Sequence, residues 1–215
     1  MTAGKASGAA DPSDGAVAAA VFDLGGVVLA TDVAAAAEVW GRAVGIEPDR
    51  VLLPFGDDTG HHGLERGEIS IEQYHAHVAA VLRRPLGLAD FLTGWHAILQ
   101  GLMPGIDELL ARLQGRLRLA VLSNTNASHA ERFLRVHAAT MGRFERVFLS
   151  HQLGTRKPER RCFQAVLDYL HLPAGRVIFI DDHPANVAAA EGLGMRGVVA
   201  AGTEQIAEAL AAMGV

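Results

Sequence analysis

Five short, largely apolar runs, at residues 17–22, 117–122, 146–149, 177–180 and 197–200, set the fold class of this chain. Runs of this length and composition suit strands covered on both faces. Helical patterns alternate with the last four runs. One follows the Pro104-Gly105 turn over 106–113, and Ser128 with Glu131 makes a capping-box signature for the next. Pro158 suits the first turn of a helix reaching about Leu170, and Pro184 does the same for a helix ending near Gly192. Thr203 is placed to cap a last helix to Met213. Strands alternating with helices build βαβ units, so the expected fold is α/β with a doubly wound parallel sheet.

The interval between the first run and the second breaks this rhythm. Residues 32–100 carry helical patterns, at 33–44, 70–82 and 88–99, and no convincing strand. A long all-helical stretch between two strands reads as an inserted helical cap. Ligands of open parallel sheets bind at the carboxyl ends of the strands, and an insertion emerging there would cover that place. The expected organisation is a tail at 1–15, rich in Ala, Gly, Ser and Asp and read as disordered, a core domain at 16–31 and 101–215, and the cap at 32–100.

Composition narrows the function classes. The formal charge of −5 is spread along the chain, without the basic block that nucleic acid would require or a basic amphipathic helix for a membrane surface. Cys162 is the only cysteine, so no disulfide forms within the chain, which fits a reducing, cytoplasmic setting. The apolar stretch 16–30 is interrupted by Asp23 and Gly25-Gly26, and its upstream charge is weak. That pattern argues for a buried strand ending in a glycine turn over a signal peptide.

Four segments share one placement, just past a predicted strand: Asp23-Leu24-Gly25-Gly26, Ser123-Asn124-Thr125-Asn126, Arg156-Lys157-Pro158-Glu159 (after a loop) and Asp181-Asp182. The carboxyl ends of neighbouring parallel strands converge, so these segments can meet. Carboxylates from two strand ends make the hard oxygen site that Mg2+ prefers. A cation there offsets the repulsion between an anionic phosphate and an anionic nucleophile. The Ser123 hydroxyl, backbone amides and the start of the next helix can hold phosphate oxygens, and Lys157 adds a point charge. A carboxylate can then attack phosphorus to form an aspartyl-phosphate. Singly, each piece is also an ordinary turn or cap; together, in this order and at one topological position, they point to a site.

In these four segments the chain resembles the haloacid dehalogenase (HAD)-like hydrolase superfamily, in its helical-cap branch with a Rossmann-like core. More narrowly it is similar to the bacterial sugar-1-phosphate phosphatases, typified by the α-glucose-1-phosphate phosphatase. That similarity extends to Glu65-Arg66-Gly67-Glu68-Ile69-Ser70, to Leu149-Ser150 and Leu153-Gly154, and to Asn186 after the acidic pair. The resemblance implies that Asp23 is the nucleophile and a magnesium ligand, with the Gly25 carbonyl and Asp182 as further ligands. It implies that Asp181 supports the metal's waters or Lys157, and that Ser123 and Lys157 bind the phosphoryl group with Asn124 nearby.

One position departs from the commonest phosphatase pattern. Two residues after the nucleophile most members carry a second Asp as general acid and base, and here Gly25 stands there. The sugar-1-phosphate relatives share the glycine; the dehalogenase branch also lacks the acid, because a departing halide needs no proton. The expected function is therefore magnesium-dependent hydrolysis of a small phosphate monoester, such as a sugar 1-phosphate. The alternatives are a 2-haloacid dehalogenase, in which Asp23 attacks carbon, and a non-catalytic binding or regulatory protein. The Asp181-Asp182 pair favours the magnesium enzyme, because those carboxylates and Asp23 repel one another without a cation. The expected partner is a small phosphorylated metabolite, with no nucleic acid and no membrane, and the expected assembly a monomer or homodimer.

Ten histidines invite a transition-metal reading, but His75 and His77 lie two apart and would face different sides of a helix. The segment 56–65, with His61 and His62, reads instead as substrate-facing. Trp40 and Trp95 read as cap core, and Cys162 as packing.

Overall fold

A computed structural model describes residues 15–51 and 58–215; the tail lies outside the described residues except for Gly15, as do 56–57 of the segment read as substrate-facing. Five parallel strands, β1 (Ala19–Phe22), β4 (Arg118–Ser123), β5 (Arg146–Leu149), β6 (Val177–Asp181) and β7 (Arg196–Val199), form one sheet in the order β5-β4-β1-β6-β7. The apolar runs give these strands because alternate side chains enter two different cores. Ala20, Phe22, Leu119, Val121, Ile178 and Ile180 pack on one face against α5 (Ile106–Leu113), α6 (Ala127–Val136), α7 (Ala138–Met141) and α11 (Thr203–Ala212). Ala19, Val21, Leu122, Val177 and Phe179 pack on the other against α9 (Arg160–Leu170) and α10 (Pro184–Glu191). Cys162 is in this second core, where burial pushes its thiol up to about 12, and it acts there as a small apolar side chain. The sheet is doubly wound, and β1 lies at its centre where the strand order changes direction.

Between β1 and β4 the chain builds a helical layer of α1 (Val33–Val44), α2 (Thr59–Glu65), α3 (Ile71–Leu82) and α4 (Leu88–Ala97). It has its own hydrophobic cluster, in which Trp40, Tyr74, Phe91 and Trp95 are fully buried. The Trp40 indole stacks 5.3 Å from the Phe91 ring and donates to the Phe91 carbonyl at 2.9 Å, while Gly94 leaves space for it against α4. Two short antiparallel strands, β2 (Leu29–Thr31) and β3 (Leu99–Leu102), join this layer to the core. Sequence patterning does not reveal this pair: the helix expected over 88–99 ends at Ala97, and Leu99 opens β3. Among the described residues, no helix is long and apolar enough to cross a membrane.

Three helix starts differ from expectation. The cap of α6 is Asn126, whose side chain accepts from the His129 amide at 3.1 Å; Ser128 lies inside the first turn and its hydroxyl meets His96 Nε2 at 2.8 Å. Thr203 is the first residue of α11, preceded by Gly202, because its hydroxyl donates to the Pro104 carbonyl. Pro158 sits before α9 in a turn closed by the Glu159 amide on the Arg156 carbonyl at 2.8 Å, with Glu159 as the cap position. Ser70 behaves as a full capping box with Gln73 at the start of α3.

Candidate active site

β1, β4 and β6 are neighbours, so Asp23, Ser123 and Asp181 emerge side by side at one edge. The Asp23 amide still donates to the Ile180 carbonyl at 2.8 Å, which fixes the residue as a continuation of the strand. Lys157, arriving from the loop between the one-turn α8 (Ser150–Leu153) and α9, is 1% exposed and lies between two carboxylates. Its Nζ is 2.6 Å from Asp23 Oδ1 and 2.6 Å from Asp181 Oδ2. Asn124 holds the lysine backbone at two points: its Nδ2 donates to the Lys157 carbonyl at 3.0 Å and its Oδ1 accepts from the Lys157 amide at 2.8 Å. Asn124 thus positions Lys157 as well as lining the adjacent cavity.

Asp181 is fully buried and fully engaged. Its oxygens accept from the His183 amide at 2.8 Å, from Asn186 Nδ2 at 3.0 and 3.1 Å, and from Lys157. Asp182, by contrast, is exposed. Oxygens of Asp23, Asp181 and Asp182 all come within 4.8 Å of one another, so this trio can hold a metal ion. Three carboxylates here face one ammonium. Burial pushes the Asp23 carboxyl up to about 7, with Lys157 pulling it down and Asp181 adding to the rise. Burial and Asp181 also raise Asp182. Burial disfavours the Lys157 charge, yet Asp23 and Asp181 hold its ammonium above the usual lysine range. The excess of negative charge on hard oxygen donors is what a divalent cation would neutralise.

The glycines between β1 and β2 shape the loop. Gly26 has φ +73°, donates to the Leu29 carbonyl at 2.8 Å and closes the turn. Gly25 has ordinary backbone geometry, and a β-carbon there would meet only Thr31 Cγ2 at 3.6 Å.

A cavity of about 270 Å³ opens beside Gly25 and Ser123, between the strand ends and the helical layer. His61 lines it and His62 is not among its lining residues. Trp95 serves both as core of the helical layer and as a wall of this cavity, a double role its sequence context does not announce. Two ion pairs tie the helical layer to the loop that carries Lys157. Arg156 Nε donates to Glu65 Oε2 at 2.6 Å, and Arg66 pairs with Glu159. Their partners are 91 and 93 residues apart, which hides them from local patterns.

Residues 17–194 match a protein family described as haloacid dehalogenase-like hydrolase. The D-ribitol-5-phosphate phosphatase of Bacteroides thetaiotaomicron is 23% identical over 180 residues, covering 81% of this chain and 87% of that protein. The sesquiterpene phosphatase astK of Aspergillus oryzae is 26% identical over 198 residues, covering 84% and 88%. The drimenol cyclase drtB of Aspergillus calidoustus is 29% identical over 196 residues; this chain spans only 34% of its length. Among solved structures, a HAD family enzyme of Bacteroides thetaiotaomicron, crystallised as an aspartate-to-alanine mutant with magnesium and inorganic phosphate, superposes with a TM-score of 0.77 at 21% identity. That match covers 87% of this chain and 96% of the other.

Proposed function

The chain belongs to the haloacid dehalogenase-like hydrolase family, and from that membership we propose that it hydrolyses a small phosphate monoester with magnesium, through an aspartyl-phosphate on Asp23. The observation that carries this reading is the placement of Lys157 between Asp23 and Asp181, with Asp182 within 4.8 Å of both acids. Two relatives named as phosphatases, and a structural neighbour holding magnesium and phosphate, support it.

Asp23, Asp182 and the Gly25 carbonyl would hold the cation, with Asp181 behind them. When bound it offsets the charge of both phosphate and nucleophile. An Asp23 oxygen attacks phosphorus; the bond from phosphorus to the alcohol oxygen breaks, and its electron pair leaves with that oxygen. Water then attacks phosphorus, releasing inorganic phosphate and restoring the carboxylate. Lys157 and the Ser123 hydroxyl hold the phosphoryl oxygens through both steps, and Asn124 keeps Lys157 in place. Asp181 orients the ammonium, because its own oxygens are already taken by His183, Asn186 and Lys157. In this reading residues 32–100 act as a cap over a core of 16–31 and 101–215, and His61 faces the leaving group.

Dehalogenation at carbon would leave Asp182 without a task, and the trio of carboxylates weighs against it. The relatives divide over the alcohol. The ribitol-phosphate enzyme supports a sugar or polyol phosphate, as does the resemblance to sugar-1-phosphate phosphatases, while the sesquiterpene enzyme supports an apolar one. A panel of phosphate esters assayed with magnesium and with a chelator tests the reaction. Turnover that needs the cation and vanishes in folded Asp23→Asn is expected; wild-type turnover in that variant would remove Asp23 from its role.

A further inference from the structure

The cavity beside the reacting carboxylate has a chemistry of its own. Leu24, Leu29, Trp95, Ile98, Leu99 and Phe133 give it an apolar wall, beside the polar side chains of Thr31, His61, Glu65, Asn124, Thr125, Asn126 and His129. Its polar side chains are largely occupied with one another and with the backbone. His129 Nε2 meets the Trp95 carbonyl at 2.8 Å, and burial pushes the imidazole down to about 4, so it stands neutral. Asn126 Oδ1 accepts from the His129 amide at 3.1 Å and from Trp95 Nε1 at 3.4 Å. Glu65 Oε2 accepts from Arg156 Nε, and Glu65 Oε1 is 3.9 Å from His61 Nε2. Asn124 is committed to the Lys157 backbone.

A polyol carries a hydroxyl on nearly every carbon. Each hydroxyl buried in this cavity needs a partner to replace the water it leaves, and a buried polar group without one weakens binding by about tenfold or more. An apolar chain needs no partners and gains by leaving water. The volume is close to the lower end of the roughly 300–1,000 Å³ range of small-molecule sites, so the group it accepts is small.

We infer that the site acts on the phosphate ester of a small apolar alcohol in preference to that of a polyol, an inference that rests on the phosphatase reading above. The phosphate stays at Asp23, Ser123 and Lys157 while the hydrocarbon lies along Trp95, Ile98, Leu99 and Phe133.

n-Hexyl phosphate and ribitol 5-phosphate are both esters of primary alcohols; the neighbouring hydroxyls make the ribitol oxygen the less basic leaving group, a difference that works against the expected order. With magnesium, kcat/KM for the hexyl ester is expected to exceed that for ribitol 5-phosphate by about tenfold or more. Leu99→Gln, which places an amide in the wall, is expected to narrow this ratio, and Leu99→Ile should keep it. Calorimetry on Asp23→Asn with hexylphosphonate and with ribitol 5-phosphate reads the cavity without turnover. Preference for ribitol 5-phosphate in both assays would overturn the inference and leave the phosphatase reading intact. Absence of hydrolysis of every ester, with hexylphosphonate still bound more tightly, would overturn the reaction and uphold the cavity's preference. Equal binding of both probes, with or without turnover, would overturn the preference.

Discussion

Gly26 and Asp182 share a space that a side chain on residue 26 would fill. A β-carbon there would come within 2.9 Å of Asp182 Cγ and closer still to its Oδ2, and the glycine holds φ +73°. Gly26→Ala therefore meets two penalties. The left-handed backbone costs about 1–2 kcal/mol with a β-carbon present, and the Asp182 carboxylate must turn away from Asp23. Magnesium affinity measured by calorimetry should fall by about tenfold or more, in line with loss of a supporting position at a metal site. Unchanged affinity in the folded variant would place the cation elsewhere.

Lys157→Met tests the charge balance at the strand ends. The substitution keeps an unbranched side chain, one atom shorter, and removes the one ammonium between two buried carboxylates. Breaking a buried pair from one side costs about 3–5 kcal/mol. A cation bound by Asp23 and Asp182 would offset part of that repulsion. Denaturant unfolding should show a large loss of stability in chelator and a distinctly smaller loss in excess magnesium, with phosphatase turnover absent in both. The same loss with and without magnesium would mean that no cation compensates there.

His129 gives a prediction on pH. It lies against Trp95, with ring centroids 4.5 Å apart, and burial lowers its pKa from 6.5 to about 4. The unfolded chain therefore binds a proton there between pH 6.5 and about 4 that the folded chain does not. Stability from this residue is fully present above pH 6.5 and is lost as pH falls toward 4, by up to about 3 kcal/mol. His129→Gln should flatten that part of the stability–pH curve measured by denaturant unfolding; an unchanged slope would assign the acid sensitivity to other groups.

The strands were legible because both faces of the sheet are covered, which leaves continuous apolar runs such as 177–180. The convergence of Asp23, Ser123 and Asp181 was legible for the same reason, since strand order alone brings their ends together. What stayed hidden depends on contacts distant in sequence. β2 and β3 are short, mixed in polarity and paired across some seventy residues. Asn126 and Ser128 are equally good caps by residue type, and only the His96 contact and the path of the backbone separate them. The ties from Glu65 to Arg156 and from Arg66 to Glu159 have no local signature. Neither does the apolar wall, which draws on the loop after β1, on α4 and its exit, and on α6.

Gly25 carries the sharpest test of the chemistry. A positioned general acid contributes about 10²–10⁴-fold to rate, and its help is greatest when the departing alkoxide is strongly basic. Residue 25 offers no such group, so phosphorylation of Asp23 should slow steeply as leaving-group basicity rises. Aryl and anomeric esters should then outrun primary alkyl esters of similar size. The backbone at Gly25 is not in the left-handed region, and a β-carbon would meet only Thr31 Cγ2 at 3.6 Å. Gly25→Asp is therefore sterically admissible at its first atom. It should speed the poorest leaving groups most and leave aryl phosphates nearly unchanged. Single-turnover rates across a series of esters matched in apolar bulk would read both slopes. His61 is one residue of the helical layer placed to supply a proton instead, since it lines the same cavity as Gly25 and Ser123, as does Glu65. A flat dependence in the wild type that steepens in His61→Gln would assign the acid to His61, and a steep dependence already present in the wild type would leave the departing oxygen to be protonated by water.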